Sequence, residues 1–144
     1  MLRRAPGTIP FSTEALKANL LRLQNEWETV QASRDRDAIY QYLSAVFELV
    51  TWWDREGKAG KRANRALHLR GYSSVREAEP FAAVILCTAD RDRVDERTRS
   101  KWSRVLRYAA EFKEVDEPLR DFVKRKGGIN KCAGRFARRL GRYR

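Results

Sequence analysis

The side chains that most often perform acid–base, metal or nucleophilic chemistry are scarce in this sequence of 144 residues. It contains one histidine, His68, and two cysteines, Cys87 and Cys132. His68 lies in a basic segment without an identifiable carboxylate partner, which disfavours a role as general base. The cysteines are isolated from each other, so a zinc site built from Cys and His would lack ligands. We expect both cysteines to be small core residues and His68 to have a surface or packing role.

Four carboxylates between residues 90 and 96 form a second candidate site, because acidic clusters can hold Mg²⁺ in a nuclease. The cluster comprises Asp90, Asp92, Asp95 and Glu96. Arginines alternate with these residues, which predicts local ion pairs and the capping of a helix start. Glycine-rich phosphate loops and dinucleotide fingerprints are absent from the sequence. We therefore expect a protein that is not an enzyme, with no catalytic residue, metal or cofactor. A metal-dependent cleavage abolished by substitution of Asp92 and Asp95 would reverse this expectation.

The basic residues give the strongest functional signal. Lysine and arginine total 31 against 19 aspartate and glutamate, for a formal charge of +12 and a pI of about 10.3. Residues 58–76 hold six basic and no acidic residues, and residues 118–144 hold ten basic residues and one acidic residue. Charge concentrated in this way is typical of a face that binds an acidic partner, although a flexible tail that serves solubility is the alternative for the second block. Because 23 of the 31 cations are arginines, which grip phosphate and stack on bases, nucleic acid is the favoured partner.

The spacing of apolar residues predicts helices along most of the chain. A repeat of four and three predicts a helix over about 13–32, through Leu16, Leu20, Leu23, Trp27 and Val30. The same repeat recurs in Ile39, Leu43, Val46, Val50 and Trp53. Two matched seams joined by a short polar loop predict an antiparallel helical hairpin, packed on itself or on a second copy of the chain.

Further helices are expected over about 61–69 and 92–112. Residues 81–87 are apolar all round, which predicts a buried central helix, with a short strand as the alternative. Residues 74–77 have the spacing of a capping box, and Pro80 requires a kink or a restart of the helix after it. Few strand patterns and no internal repeat are found. The expected fold class is therefore all-α.

We divide the chain into an N-terminal arm (1–11), a helical core domain (12–116) with the basic segment 58–76, and a basic C-terminal region (117–144). The longest apolar run has seven residues, 81–87, whereas a membrane-spanning helix needs about 20. No hydrophobic stretch follows the arginines near the N-terminus, as a secretory signal would require. We expect a cytoplasmic protein without a membrane partner.

The C-terminal region has the layout of two helices separated by Gly127 and Gly128. Residues 122–136 resemble a generic helix-turn-helix motif, with a small packing residue at Val123 and a turn glycine four residues later. Ala133 and Phe136 would pack the second helix, whose inward side also carries Cys132 and Leu140. Two departures are Lys126, in a slot that is usually apolar, and Gly134, which weakens the second helix by about 1 kcal/mol relative to alanine. An ordinary helical hairpin with a basic outer face is the alternative.

The resemblance assigns roles to the polar side chains of this region. It implies that base edges in the major groove would meet Asn130, Lys131 and Arg135. It implies that phosphates would be bound beside the turn by Lys124, Arg125 and Lys126, and along the flanking backbone by Arg138, Arg139 and Arg142.

The central basic block supplies a second candidate set. Its members recur at helical spacing and would share one phosphate-binding face, and they are Lys58, Lys61, Arg62 and Arg65. Trp52 and Trp53 lie just upstream, and basic residues beside aromatic rings can clamp single strands. Because Trp53 lies on the apolar seam, we expect both tryptophans to pack in the core.

These patterns favour a non-enzymatic nucleic-acid-binding protein, with DNA preferred over RNA, such as a regulator or an accessory of replication, partition or a mobile element. One alternative is a helical subunit of a nucleoprotein or CRISPR-type effector complex that contacts the RNA or DNA backbone. A second alternative is an adaptor or inhibitor whose basic faces fit an acidic protein groove. A homodimer through the N-terminal hairpin, or a larger nucleoprotein complex, is the expected assembly.

Overall fold

A computed structural model describes residues 11–73 and 78–141 of the chain. Within these residues the regular structure is entirely helical, with seven α-helices, one short 3₁₀ helix and no strand, which confirms the all-α prediction. The helices are α1 (Thr13–Ala32), the 3₁₀ helix (Arg36–Ala38), α2 (Ile39–Arg55), α3 (Ala59–Leu69), α4 (Pro80–Thr88), α5 (Glu96–Phe112), α6 (Leu119–Arg125) and α7 (Ile129–Gly141).

The apolar seams of α1 and α2 form one side of the core. All five seam residues of α1 are buried, and so are four of the five of α2, where Ile39 is half-buried. The Phe11 ring, just before α1, lies 6.0 Å from the Trp53 ring near the end of α2, measured between centroids. The Trp27 ring, near the end of α1, lies 5.3 Å from the Tyr42 ring near the start of α2. The two helices therefore run in opposite directions.

The apolar segment 81–87 belongs to α4, which is a helix and not a strand. This helix begins at Pro80, whose missing amide hydrogen costs nothing in the first turn. The Glu79 carboxylate caps it by accepting hydrogen bonds from the amides of Phe81 and Ala82. Burial raises the pKa of Glu79. The predicted capping box at 74–77 lies outside the described residues.

Helix α4 packs against α1, α2, α3 and α5 and so lies at the centre of the core. Its Thr88 hydroxyl shares a 2.6 Å hydrogen bond with the Tyr42 hydroxyl of α2. Among residues 11–73 and 78–141, no helix is both long enough and apolar enough to cross a membrane.

Helix α5 begins later than the sequence pattern predicts. The Asp95 carboxylate accepts a hydrogen bond from the Thr98 amide at 2.8 Å, so Asp95 is the cap and Glu96 the first helical residue. Asp92 instead lies in a turn, where its amide donates to the Asp90 carboxylate at 2.9 Å. The helix starts late because Asp90 accepts the Asp92 amide in the turn, and Asp95 accepts the Thr98 amide at the helix start.

Helix α7 packs chiefly along α5, and the two run in the same direction. The Arg107 guanidinium of α5 lies 4.6 Å from the centroid of the Phe136 ring, and one turn later Glu111 pairs with Arg139. Helix α6 contacts α2 and lies beside its start, where Asp37 pairs with the α6 side chains. Since α3 follows the end of α2, the Gly57 turn and the Lys124–Asp37 ion pair lie at opposite ends of a helix of 17 residues, about 25 Å apart.

Candidate nucleic-acid interface

The two basic blocks follow turns of the same construction. After α2, the Gly57 amide donates to the Asp54 carbonyl and the Lys58 amide to the Trp53 carbonyl. After α6, the Gly127 amide donates to the Lys124 carbonyl and the Gly128 amide to the Val123 carbonyl. Gly57 and Gly127 have φ angles of +70° and +102°, which glycine adopts without the penalty that a side chain would bring. We call α2, Gly57 and α3 the first unit, and α6, Gly127 and α7 the second unit.

The two units also share residues in register, although no internal repeat was predicted. Counted from the turn glycine, the fourth residue is Lys61 or Lys131, the sixth is Ala63 or Ala133, and the eighth is Arg65 or Arg135. The lysines are exposed and the alanines are buried in both units. Each arginine donates to a backbone carbonyl, Arg65 to that of Phe11 and Arg135 to that of Lys126. The correspondence covers the turn and the start of the following helix.

The arginines of α3 face the protein, which corrects their expected place on an exposed cationic face. Arg62 is only 8% exposed, and its guanidinium lies 2.9 Å from a Glu56 carboxylate oxygen and 4.0 Å from the centroid of the Phe11 ring. Arg65 donates to the Thr13 hydroxyl at 2.7 Å as well as to the Phe11 carbonyl. The packing of α3 against α1 brings this side inward, so both guanidiniums are engaged within the fold.

The lysines of the first block remain on the surface. Lys58 and Lys61 are exposed, and neither side chain forms a hydrogen bond or ion pair with a residue that the structure describes. Of the four predicted site residues in this block, these two keep a free cation.

Three predicted site cations of the second block are paired with carboxylates. The Lys124 ammonium lies 2.5 Å from Asp37, and this hydrogen bond is the main reason why the pKa of Asp37 is lowered. Arg125 binds both carboxylate oxygens of Glu117, at 2.9 and 3.0 Å, and lowers the pKa of Glu117. Arg139 pairs with Glu111. Each carboxylate offsets the positive charge that was expected to meet a phosphate.

The outward face of α7 has a different character. Asn130, Lys131 and Arg138 are exposed, and no described residue accepts or donates a hydrogen bond to their side chains. The helix contains no acidic residue. Its opposite face is anchored through the buried Cys132 and Phe136, so the outward face is held on the folded core and not on a flexible tail.

Two glycines shape the surface around these side chains. A Cβ atom on Gly127 would lie 2.6 Å from the Lys131 Cδ atom, so the stem of Lys131 passes close over the turn. A Cβ atom on Gly134 would lie 3.4 Å from an Arg138 guanidinium nitrogen, so Arg138 folds back along the helix. Lys126 is half-buried in the turn, and Arg142 lies outside the described residues.

Helix α5 adds cations that the predicted site omitted. Arg97 and Arg104 are spaced seven residues apart and continue to Glu111, so all three share a side of α5. Glu111 pairs with Arg139 of α7, which identifies this side as the one next to α7. Arg97 is exposed and Arg104 is half-buried. The helical spacing of Arg97 and Arg104 is visible in the sequence. Their position beside α7 depends on tertiary packing and is not.

The candidates for enzymatic chemistry have structural roles here. Burial raises the pKa of Cys87 to about 12 and also raises the pKa of Cys132, so both thiols stay protonated at neutral pH. Asp90 pairs with Arg93 and Asp95 caps α5. In the part of the chain that the structure describes, no group of His, Cys, Asp and Glu residues is placed to hold a metal ion.

Two predictions about apolar residues are wrong. Trp52 is 42% exposed. It comes one residue before the seam residue Trp53, so it lies about 100° away from the seam around the axis of α2. Leu140 is 41% exposed, because α5 ends beside Arg139 and offers little surface to cover the next residue.

Comparisons of the chain with models of protein families, with curated proteins and with solved structures give no match.

Proposed function

We propose that the protein binds nucleic acid, with duplex DNA as the preferred form, through the outward face of α7. The observation that carries this proposal is a set of exposed side chains without a partner among the described residues, Asn130, Lys131 and Arg138, on a helix without acidic residues. Polar groups that lack a partner within the fold exchange only hydrogen bonds to water when they bind a ligand, so no bond within the protein has to break. The net charge of +12 favours a polyanion as that ligand.

The dimensions of α7 fit the major groove. A helix of 13 residues is about 20 Å long, and the major groove is about 12 Å wide, enough to admit one helix. The helix-turn-helix resemblance suggests α7 as the recognition helix and its first turns as the part nearest the bases. Asn130 would then meet base edges, where an amide suits adenine. Lys131 and Arg138 would contact the backbone.

The cations of α5 extend this surface. Arg97 and Arg104 lie on the side of α5 next to α7, where they would contact phosphates on one flank of the groove. Glu96 and the capping Asp95 come at the start of the same helix, so the favourable contact is expected from Arg104, farther from these carboxylates along the helix.

Lys124, Arg125 and Arg139 are expected to contribute less. Exposed ion pairs are worth only about 0–1 kcal/mol, so these cations can exchange partners. Their carboxylates stay nearby, however, and would repel a phosphate. The proposal therefore ranks the unpaired residues of α7 above the paired ones, which the sequence alone could not do.

The test is a salt series of binding to a labelled random-sequence duplex, comparing wild type with a Lys131→Ala/Arg138→Ala variant. Each lost phosphate contact lowers the slope of log K against log salt by about 0.9, so we expect the slope to fall by about 2. The matched control is Arg22→Ala/Arg34→Ala, which removes the same charge from exposed residues outside the interface. The control should keep a slope close to that of wild type.

Two results would contradict the proposal. An equal loss in both variants would mean that net charge, and not the face of α7, determines binding. Absence of binding to duplex DNA, single-stranded DNA and RNA of matched length would refute nucleic-acid binding by this chain and favour a protein partner.

A further inference from the structure

The exposed tryptophan of α2 is the least expected feature of the surface. The other three tryptophans are buried, with exposures of 2% for Trp27, 0% for Trp53 and 8% for Trp102, whereas Trp52 is 42% exposed. Burial of an indole ring is strongly favourable, so folding alone gives no reason to keep this ring in water.

The Trp52 ring is held in place by its neighbours. The Phe11 ring meets it edge to face with centroids 6.1 Å apart, and the Arg62 guanidinium lies 5.5 Å from its centroid. Arg62 is itself fixed by Glu56 at 2.9 Å and by its position over Phe11. The part of the ring that stays exposed is therefore presented in a defined orientation, which lowers the entropy lost when a ligand stacks on it.

The cations nearest in sequence to Trp52 are free to bind a ligand. Arg55, Lys58 and Lys61 are exposed, and among the described residues none accepts a hydrogen bond or ion pair from them. The acidic residues in the same stretch are Asp54 and Glu56, and Glu56 is neutralised by the buried Arg62. Residues 52–65 therefore carry five basic and two acidic side chains in the same stretch of sequence as the exposed ring.

We propose that Trp52 is a stacking platform for an unpaired base, with Arg55, Lys58 and Lys61 binding the phosphates on either side of that base. An aromatic ring beside cations is the arrangement by which proteins hold single strands, because every base has a face that can stack and every nucleotide has a phosphate. A paired base is already stacked within its duplex, so the platform selects single-stranded nucleic acid. The proposed site is built from residues 52–61, none of which belongs to α7.

The proposal shares only the ligand class with the proposed function, and the two can fail independently. If both hold, the protein grips a duplex with α7 and an adjoining single strand with Trp52, as at a junction or an opened site.

The fluorescence of the full chain tests the platform directly, because Trp52 is the tryptophan that solvent reaches. Titration with a short oligothymidine should quench part of the emission and protect the remaining exposed fraction from acrylamide. A duplex of equal length should give neither effect. Binding measured separately by the anisotropy of a labelled oligothymidine should weaken about tenfold or more in Trp52→Leu, which keeps an apolar side chain but removes the ring.

Trp52→Phe is the matched control, since it keeps an aromatic face and should bind the labelled strand within a few-fold of wild type. Thermal unfolding of both variants establishes that they are folded. The Lys131→Ala/Arg138→Ala variant should keep the quenching by oligothymidine, and Trp52→Leu should keep duplex binding. Equal single-strand affinity of Trp52→Leu and wild type, or no quenching by oligothymidine, would overturn the proposal whatever the result for duplex DNA.

Discussion

The first and second units place nearly the same turn at opposite ends of α2, yet they use their cations in different ways. In the first unit the fifth residue after the turn glycine is Arg62, which faces inward and contacts Glu56 and Phe11. The second unit has Cys132 in the same register, five residues after the turn glycine, and this small side chain is fully buried. The cations of α7 are thus left to its outer face.

The difference shows that a basic residue count does not locate a binding face. Both blocks look alike in the sequence, but in α3 two arginines bind the helix to Phe11 and to the start of α1, whereas α7 is anchored by a cysteine and a phenylalanine. Helix α7 therefore leaves Lys131 and Arg138 available to a partner, whereas α3 leaves only Lys61 among the described residues.

The largest effect on stability is expected from Arg62→Ala. This change removes the guanidinium over Phe11, leaves Glu56 unpaired and opens a space beside the ring. Because the Glu56 side chain is 42% exposed and can be hydrated, we expect a loss of about 2–3 kcal/mol, below the range for a fully buried pair. Arg62→Met should recover part of it, since it restores the apolar stem.

Urea unfolding measures both variants, with Lys61→Ala as the exposed neighbour that should change stability by less than about 0.5 kcal/mol. From the contrast between the units we expect Cys132→Ala to lower the free energy of unfolding by less than Arg62→Ala does. Equal costs for Arg62→Ala and Lys61→Ala would show that α3 is not anchored by its arginine.

The next largest effect separates the two turn glycines. Gly127→Ala should cost about 2 kcal/mol, because an alanine at φ +102° is strained and its Cβ would meet the Lys131 Cδ at 2.6 Å. Gly57→Ala should cost about 1 kcal/mol, because φ is +70° and no atom lies within 4 Å of the added Cβ. Thermal or urea unfolding of the two variants gives the comparison.

A double-mutant cycle separates the two causes of the destabilisation by Gly127→Ala, the backbone strain and the contact with Lys131. Lys131→Ala removes the atoms that the new methyl group meets, so Gly127→Ala should be less costly in the Lys131→Ala background than in wild type. Strict additivity would mean that the strain at Gly127 comes from the backbone alone.

The sequence predicts the helical framework because that framework follows from local periodicity. The seams of α1 and α2 and the central position of α4 are fixed by which residues are apolar and how far apart they lie. The shared turn could also have been found, since Gly57, Lys61, Ala63 and Arg65 recur 70 residues later as Gly127, Lys131, Ala133 and Arg135.

The availability of each cation could not be predicted, because it depends on partners that are distant in the chain. Lys124 and Arg120 pair with Asp37 across separations of 87 and 83 residues, and Arg65 bonds to Phe11 across 54. Periodicity identifies the face of a helix on which a side chain lies. It gives no information about which carboxylate the fold brings to that face.

A smaller effect, of opposite sign in the two units, is expected at the seventh residue after each turn glycine. Gly134→Ala should raise the free energy of unfolding by about 1 kcal/mol, since alanine favours the helix and the Arg138 guanidinium at 3.4 Å is a movable end. Asn64→Ala should lower it by about 1 kcal/mol, because the Asn64 side chain accepts a hydrogen bond from the Ala78 amide at 3.2 Å. Both are read from unfolding curves, and stabilisation by Asn64→Ala would contradict this assignment.

The smallest effect is expected in the pH dependence of the ion pair between Lys124 of the second unit and Asp37 at the start of α2. Hydrogen bonding to Lys124 lowers the pKa of Asp37 below its ordinary value of 3.8. A carboxyl whose folded pKa is lowered binds its proton less readily when folded, so its contribution to stability is present above the unfolded pKa. That contribution is lost as the pH falls through the folded value.

Asp37→Asn should therefore be less stable than wild type at pH 6, and the difference should shrink as the pH is lowered below about 4. Asp116→Asn, at an exposed carboxyl without an ion pair to any described residue, is the control and should show no such convergence. High salt should reduce the Asp37 effect, because the ion pair is partly exposed. A difference that stayed constant down to pH 3 would mean that Asp37 stabilises the start of α2 through the neutral part of its side chain, and that α6 is held there by the apolar contacts of Leu119 and Phe122 and not by charge.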